Sequence, residues 1–363
     1  MVASTPRRPF LRRHAIPLVL SIVVGALLAW VAARGGVPLV PGRAAFRSLE
    51  PWAIPAYVLS LFGVVFLRAA RWRFLIAPVK AIPVREVLRL NVVGFLAIFL
   101  LPFRLGEAAR PALTKLRHGV PISAGVGTVA VERVVDGIVT SLCVAYALFA
   151  LPMRETTNPV ARALPGYGLV ALAVFTSAFA ALFLFLWQRA LATRLCHAIL
   201  DLVSRRLADL VTEKLASMAD GLRILHDPRL AAGFLLETLL YWGLNAFGMW
   251  ILARGTGLPL DFGHAVGIMG ILAIGILLPA GPGLFGSFQL AVAAGLECYL
   301  PPEIVGVQGS LYIFLLYGLQ ALVTLLGLVP LFRLHVGMDE LLGESTEASE
   351  ETAPNLRQGE GSA

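Results

Sequence analysis

An apolar run that stops at a proline occurs twice in this chain. Residues 94–102 read GFLAIFLLP and continue as FRLGEAARP; residues 270–279 read GILAIGILLP and continue as AGPGLFGSFQLA. Both copies carry Leu-Ala-Ile and then Leu-Leu-Pro at nearly the same spacing. Proline ends or kinks a helix because it lacks the backbone N–H and crowds the preceding turn. Interrupted apolar segments at matching positions in two halves of a membrane chain mark an internal repeat, whose broken helices meet at a substrate site.

Composition supplies the membrane. Hydrophobic residues make up 58% of the chain and charged residues 14%, with a mean hydropathy of +0.80, whereas soluble domains carry about 25% charged residues. Residues 1–15 form a basic N-terminus with Arg7, Arg8, Arg12 and Arg13, ahead of an apolar run at 16–33. That pattern suits a signal peptide, yet the rest of the chain is also apolar, which favours an uncleaved first span. Cys143, Cys196 and Cys298 are scattered and form neither a disulfide framework nor a metal-ligand spacing. No cofactor is expected. The net charge of +8 sits in short loops, so it reads as a topology signal and a surface for anionic lipid rather than for nucleic acid.

A spanning helix needs about 20 mostly apolar residues. Segments 16–33, 52–67, 124–151, 166–187, 230–253 and 304–332 qualify, and two others do not fit. Segment 88–101 is short and has basic loops on both sides, so it is expected to enter the membrane and return. Segment 262–300 is long and broken by Pro279, Gly281, Pro282, Gly283 and Gly286, and also reads as a hairpin. The expected fold is an all-α polytopic bundle with two re-entrant helical hairpins. Three crossings and one hairpin per half make the halves inverted, with both termini cytoplasmic and the bundle in the plasma membrane. The membrane domain is expected over 16–335. Within it, 189–229 carries apolar residues every three to five positions opposite Arg205, Arg206, Lys214 and Arg223, as does a helix on the cytoplasmic surface or a linker packed on the bundle. Residues 336–363 form an acidic tail, expected to be disordered.

Ionisable residues at membrane depth are costly, so they pair or face a wet cavity. Glu132, Arg133 and Asp136 lie in VERVVDG, inside the apolar segment 124–151. The bland reading places that cluster at the water boundary. In LPFRLGEAARP, Pro102 breaks the helix, Gly106 permits close backbone approach, and Glu107 and Arg110 sit one turn apart. Arg104 and Arg110 together suit a lipid phosphate, because guanidinium groups bind it through forked hydrogen bonds; a surface salt bridge with positive-inside anchoring is the alternative. GPGLFG, 281–286, matches the dinucleotide pattern by accident, since no strand precedes it. It reads as an unwound hinge or a plain kink, with Ser287 and Gln289 as nearby polar groups. Asn91, Glu237, Tyr241 and Asn245 are further intramembrane polar residues, of which Glu237 is the functional candidate. Arg68 and Arg71 with Trp72 read as an interface anchor.

At LPFRLGEAARP, VERVVDG and PAGPGLFG the chain resembles the flippase-like family built on the transmembrane domain of lysylphosphatidylglycerol synthase. The likeness runs over 16–332. It implies a bundle with two re-entrant hairpins that moves a phospholipid or polyprenyl-linked lipid between leaflets. Members that make aminoacylated lipid carry a soluble synthase domain after the membrane part, whereas a short acidic tail follows here, so aminoacyl transfer is not expected. The family's hinge commonly continues into a glutamate where this sequence has Gln289. On this reading Arg104 and Arg110 hold the headgroup phosphate, Glu107, Glu132 and Asp136 balance the arginines or meet a cationic group, and the Pro/Gly hinges let the halves alternate. No Walker-type loop is present. Two rival readings stand beside it: an intramembrane transferase using a lipid-linked donor, with Glu107 or Asp136 as base, and a scaffold subunit for a lipid-synthesising enzyme.

Overall fold

The computed structural model describes residues 10–34, 38, 40–101, 106–152, 154, 159–201, 204–206, 208–212, 227–277 and 281–329. Among these residues the fold is all-helical, without strands. The helices are α1 (Phe10–Arg34), α2 (Ala53–Ala70), α3 (Trp72–Ile76), α4 (Val84–Leu100), α5 (Ala109–His118), α6 (Ile122–Ala150), α7 (Pro159–Trp187), α8 (Arg189–Leu200), α9 (Pro228–Gly255), α10 (Phe262–Gly275), α11 (Ser287–Glu297) and α12 (Ser310–Leu325). Short 3-10 turns lie at Ala45–Ser48 and Pro282–Leu284, and α12 is entered through Pro302–Ile304 and the π-helical turn Val305–Gly309.

Four apolar stretches are long enough to cross a membrane: Ala53–Ile76, Ile122–Ala150, Pro228–Gly255 and Pro302–Leu325. Helices α1 and α7 run 25 and 29 residues, with described apolar cores at Ile22–Val31 and Gly166–Ala178. The chain is a multi-pass membrane protein. Its outer surface agrees: Leu59, Phe149 and Leu239 are well over half exposed, a placement that hydrocarbon tolerates and water does not.

Prolines set several helix ends. Leu101 and Leu151 are extended (ψ 137° and 138°) because each precedes a proline, whose ring disfavours helical geometry in the residue before it. Helix α9 starts where Asp227 accepts hydrogen bonds from the Arg229 and Leu230 backbone N–H groups at 2.8 and 3.3 Å, with Pro228 in the first turn.

The two copies of the repeated apolar run occupy the last turns of α4 and of α10. After each, the chain doubles back on the helix it has left. Gly106 lies against the backbone of Ala97 and Ile98, and Arg110 crosses Gly94. In the second pair Gly275 packs on Ala291 and Gly295 on Ile268. The described part of the connection between α10 and α11, residues 281–286, is not regular α-helix. Gly283, Leu284 and Gly286 all have positive φ (70°, 62° and 90°), and the Gly281 N–H bonds the Phe285 carbonyl at 3.1 Å. Gly286 is required there on two counts: a Cβ would be strained at that φ and would meet the Gly25 carbonyl oxygen of α1 at 2.4 Å.

Around these pairs, α2 packs along α9, and α6 packs against both α7 and α10. One apolar core joins α2, α9, α10, α11 and α12. A second gathers Trp72, Leu75, Leu90, Leu96, Leu113 and Val131 from α3 to α6. The polar site lies on the seam between the two cores. Helix α8 covers part of the expected amphipathic segment; residues 213–226 of that segment lie outside the described residues, as do the tail and residues 1–9.

Candidate functional site: a guanidinium and carboxylate cluster facing a chamber

Glu132 lies ten residues into α6, about 15 Å along the helix from its start at 1.5 Å per residue. At that depth an unpaired carboxylate is untenable. Three guanidinium groups converge on it. Arg71 Nη2 donates to Glu132 Oε1 at 3.0 Å, Arg133 Nη2 to the same oxygen at 2.6 Å, and Arg110 Nη1 to Oε2 at 2.8 Å. One turn further, Asp136 takes the other face of Arg71, with Nη1 to Oδ1 at 2.7 Å and Nη2 to Oδ2 at 2.8 Å. Arg133 approaches Asp136 Oδ2 at 3.4 Å. Arg71, Arg110 and Glu132 are fully buried.

The surrounding helices fix these groups by polar contacts. Asn91 on α4 accepts from Arg110 Nη1 at 2.8 Å and donates to the Val87 carbonyl one turn back. Thr238 on α9 accepts from Arg71 at 3.3 Å, and Trp242 Nε1, one turn on, donates to Asp136 Oδ1 at 3.0 Å. Trp72 Nε1 donates to Thr128 of α6 at 3.1 Å. Aromatic faces cover the cations: Arg71 lies 4.7 Å from the Tyr241 ring and Arg68 4.3 Å from Phe95, an attraction that gains when water is excluded. The indole bond ties α9 to the cluster. Trp242→Phe is therefore expected to lower stability by about 1.5 kcal/mol, the low end for a hydrogen bond to a charged group, because Asp136 keeps both bonds to Arg71. Thermal unfolding in detergent checks this, and an unchanged midpoint would contradict it.

In front of the cluster lies a chamber of about 510 Å³. Arg68, Glu107, Arg133 and Asp136 form its charged wall. Aromatic residues from α4, α7, α9, α11 and α12 face it, including Phe99, Trp242, Phe288 and Tyr317. The end of α4 meets the described part of the α10–α11 connection at this chamber. Phe99, from the end of α4, abuts Gly283 in the α10–α11 connection, and the Tyr317 hydroxyl donates to the Gly283 carbonyl at 3.1 Å.

The residues singled out in the sequence distribute as follows. Arg110, Glu132, Arg133, Asp136 and Asn91 come together in one network. Glu107 joins Arg133 and Asp136 on the chamber wall. Arg110 reaches the network but not the chamber surface. Arg104, Pro102 and Pro279 lie outside the described residues. Glu237 is engaged elsewhere, pairing with both terminal nitrogens of Arg73. Gln289 caps α11, its Oε1 accepting from the Gly286 N–H at 2.7 Å. The expectation for Arg68, Arg71 and Trp72 needs correction. Arg71 and Trp72 are completely buried, so they are no interface anchor; Arg71 binds both carboxylates of α6, and Arg68 is the second cation on the chamber wall. Tandem arginines beside a tryptophan look the same at a membrane boundary and in a buried network. The available signal was the unpaid demand of Glu132 and Asp136 for cations within an apolar helix.

No curated protein and no solved structure matches the chain. Over residues 18–327 it matches the family described as the lysylphosphatidylglycerol synthase TM region, which takes in α2 to α12 together with the cluster and the chamber. The chain belongs to the family of the lysylphosphatidylglycerol synthase transmembrane region.

Proposed function

We propose that this chain is a lipid translocator, which admits the anionic headgroup of a phospholipid or polyprenyl-linked lipid to the chamber while the acyl chains stay in the bilayer. One observation carries the reading: more guanidinium than carboxylate buried among helices long and apolar enough to cross a membrane. Arg68, Arg71, Arg110 and Arg133 face Glu107, Glu132 and Asp136, which leaves one positive charge over among the described residues of the site. A buried excess charge is costly unless a counter-charge arrives. Arg133 and Arg68, being on the wall, are the residues to meet a phosphate, with Arg110 holding Glu132 behind them.

In this reading the two hairpins are re-entrant, the halves are inverted repeats, and the Pro/Gly connections let them alternate around the chamber. The N- and C-termini are cytoplasmic in the plasma membrane, and a lipid-synthesising enzyme would be the supplier of the cargo. The transferase alternative needs a carboxylate able to take a proton. Asp136, with both oxygens already accepting from Arg71 and one also from Trp242, is poorly placed for that role.

The test is reconstitution of the full chain in phosphatidylglycerol and phosphatidylethanolamine vesicles, following leaflet exchange of radiolabelled phosphatidylglycerol. Arg133→Gln keeps a hydrogen-bonding amide and removes the charge. It is expected to slow exchange at least about tenfold, the equivalent of one lost charge-assisted bond of 1.4 kcal/mol or more. Wild-type protein that exchanges no more lipid than empty vesicles would overturn the reading.

A further inference from the structure

Beyond its charged groups the chamber also carries uncharged polar ones. Asn245 on α9 and Gln320 on α12 both line it, and neither side-chain amide has a protein partner among the described residues. Thr140 and Thr324 line it as well. Their hydroxyls donate to the backbone carbonyls of Asp136 and Gln320 at 2.9 and 2.8 Å, which leaves their oxygens as acceptors. Two open amides and two accepting hydroxyls present both donors and acceptors to the same chamber. A ligand that both donates and accepts at several points, such as a row of hydroxyl groups, satisfies such a lining; an ammonium only donates. Trp242, Phe288 and Tyr317 add ring surfaces on which the C–H face of a polyol can lie.

The charged wall argues against a cationic headgroup. Asp136 already accepts from Arg71 and Trp242, Glu132 is buried behind three arginines, and Glu107 lies in the field of Arg133. Among its described residues the site also carries one more guanidinium than carboxylate, and like charges repel an ammonium.

We infer that the chamber selects a lipid whose phosphate bears a polyhydroxylated headgroup, a polyol or a sugar, over a cationic aminoacylated one. The phosphate meets Arg133 and Arg68, and the hydroxyls meet Asn245 and Gln320. This inference rests on the translocation reading and specifies its substrate class.

The test is a competition. Full-length protein in detergent is given equal amounts of phosphatidylinositol, phosphatidic acid, phosphatidylethanolamine and lysyl-phosphatidylglycerol, and the lipids retained are identified by mass spectrometry. Phosphatidylinositol is expected to be enriched about tenfold over phosphatidic acid, the worth of two ordinary hydrogen bonds, and further over lysyl-phosphatidylglycerol. Asn245→Leu and Gln320→Leu, each alone, are expected to bring the phosphatidylinositol to phosphatidic acid ratio toward one. The wild-type competition decides the matter even if a variant fails to fold. Preference for lysyl-phosphatidylglycerol, or no preference among the anions, overturns the substrate class and leaves translocation standing. Retention of no lipid above its share of the mixture, with no lipid exchange in vesicles, overturns both.

Discussion

Glu132→Gln is expected to destabilise the folded chain by roughly 3–5 kcal/mol, the range for breaking a buried ion pair from one side. The carboxylate accepts from Arg71, Arg110 and Arg133, and these three cations do not lose equally. Arg71 keeps Asp136 through both terminal nitrogens, and Arg133 keeps a 3.4 Å approach to the same group. Arg110 keeps only Asn91. It is fully buried, and its Nε and second Nη have no hydrogen-bond partner among the described residues. Its charge is the one stranded, so the cost should sit in the Arg110–Glu132 pair. A double-mutant cycle makes that checkable: Arg110→Met with Glu132→Gln is expected to regain much of what Glu132→Gln alone loses, because replacing both partners removes the uncompensated charge. Thermal or denaturant unfolding in detergent reads the outcome. A single variant as stable as wild type would show that the network does not bear on stability, and a double variant that loses the sum of the two singles would show that Arg110 and Glu132 are not coupled.

Much of this site was legible because membrane burial restricts the choices. Glu132 and Asp136 in an apolar helix needed cations, and Arg110 was recognisable as one from its place after a broken run. Helical spacing put Tyr241 and Asn245 on one face of α9, and both line the chamber. Glu237 shares that spacing yet turns to Arg73, since a long side chain can leave its face for a partner that the spacing does not reveal. Arg71 was misjudged for a related reason. Its neighbours Arg68, Trp72 and Arg73 form the usual pattern of a membrane boundary, and only the packing of α2 and α3 on α6 and α9 turns Arg71 inward. Gln289 was read in terms of the hinge chemistry, whereas its amide closes a local cap on the Gly286 N–H. The close backbone approach at Gly106 followed from the sequence. The contact of Phe99 with Gly283 across the chamber could not, because no local pattern encodes how two distant segments meet.

Gly106→Ala is expected to cost roughly 3 kcal/mol, at or beyond the upper end of the usual range for overpacking. A Cβ at Gly106 would lie 2.1 Å from the Ala97 carbonyl carbon, 2.2 Å from the Ile98 nitrogen and 2.3 Å from the Ala97 oxygen. All three are backbone atoms inside α4, so no rotamer change relieves the clash. The alternative is to move α5 away from α4. That movement would draw Arg110 from Asn91 and Glu132, and with it the carboxylate that anchors Arg133 on the chamber wall. Stability and lipid exchange should therefore fall together, although alanine would by itself reduce the freedom of the unfolded chain. Gly243→Ala provides the contrast. An added Cβ there meets nothing within 4 Å on a long helix, and alanine favours a helix interior over glycine by about 0.8–1.0 kcal/mol. Gly243→Ala should match or exceed the wild-type unfolding midpoint with exchange intact, while Gly106→Ala loses both. If the two variants unfold alike, the close packing of the first hairpin is not what holds the arginine network in place.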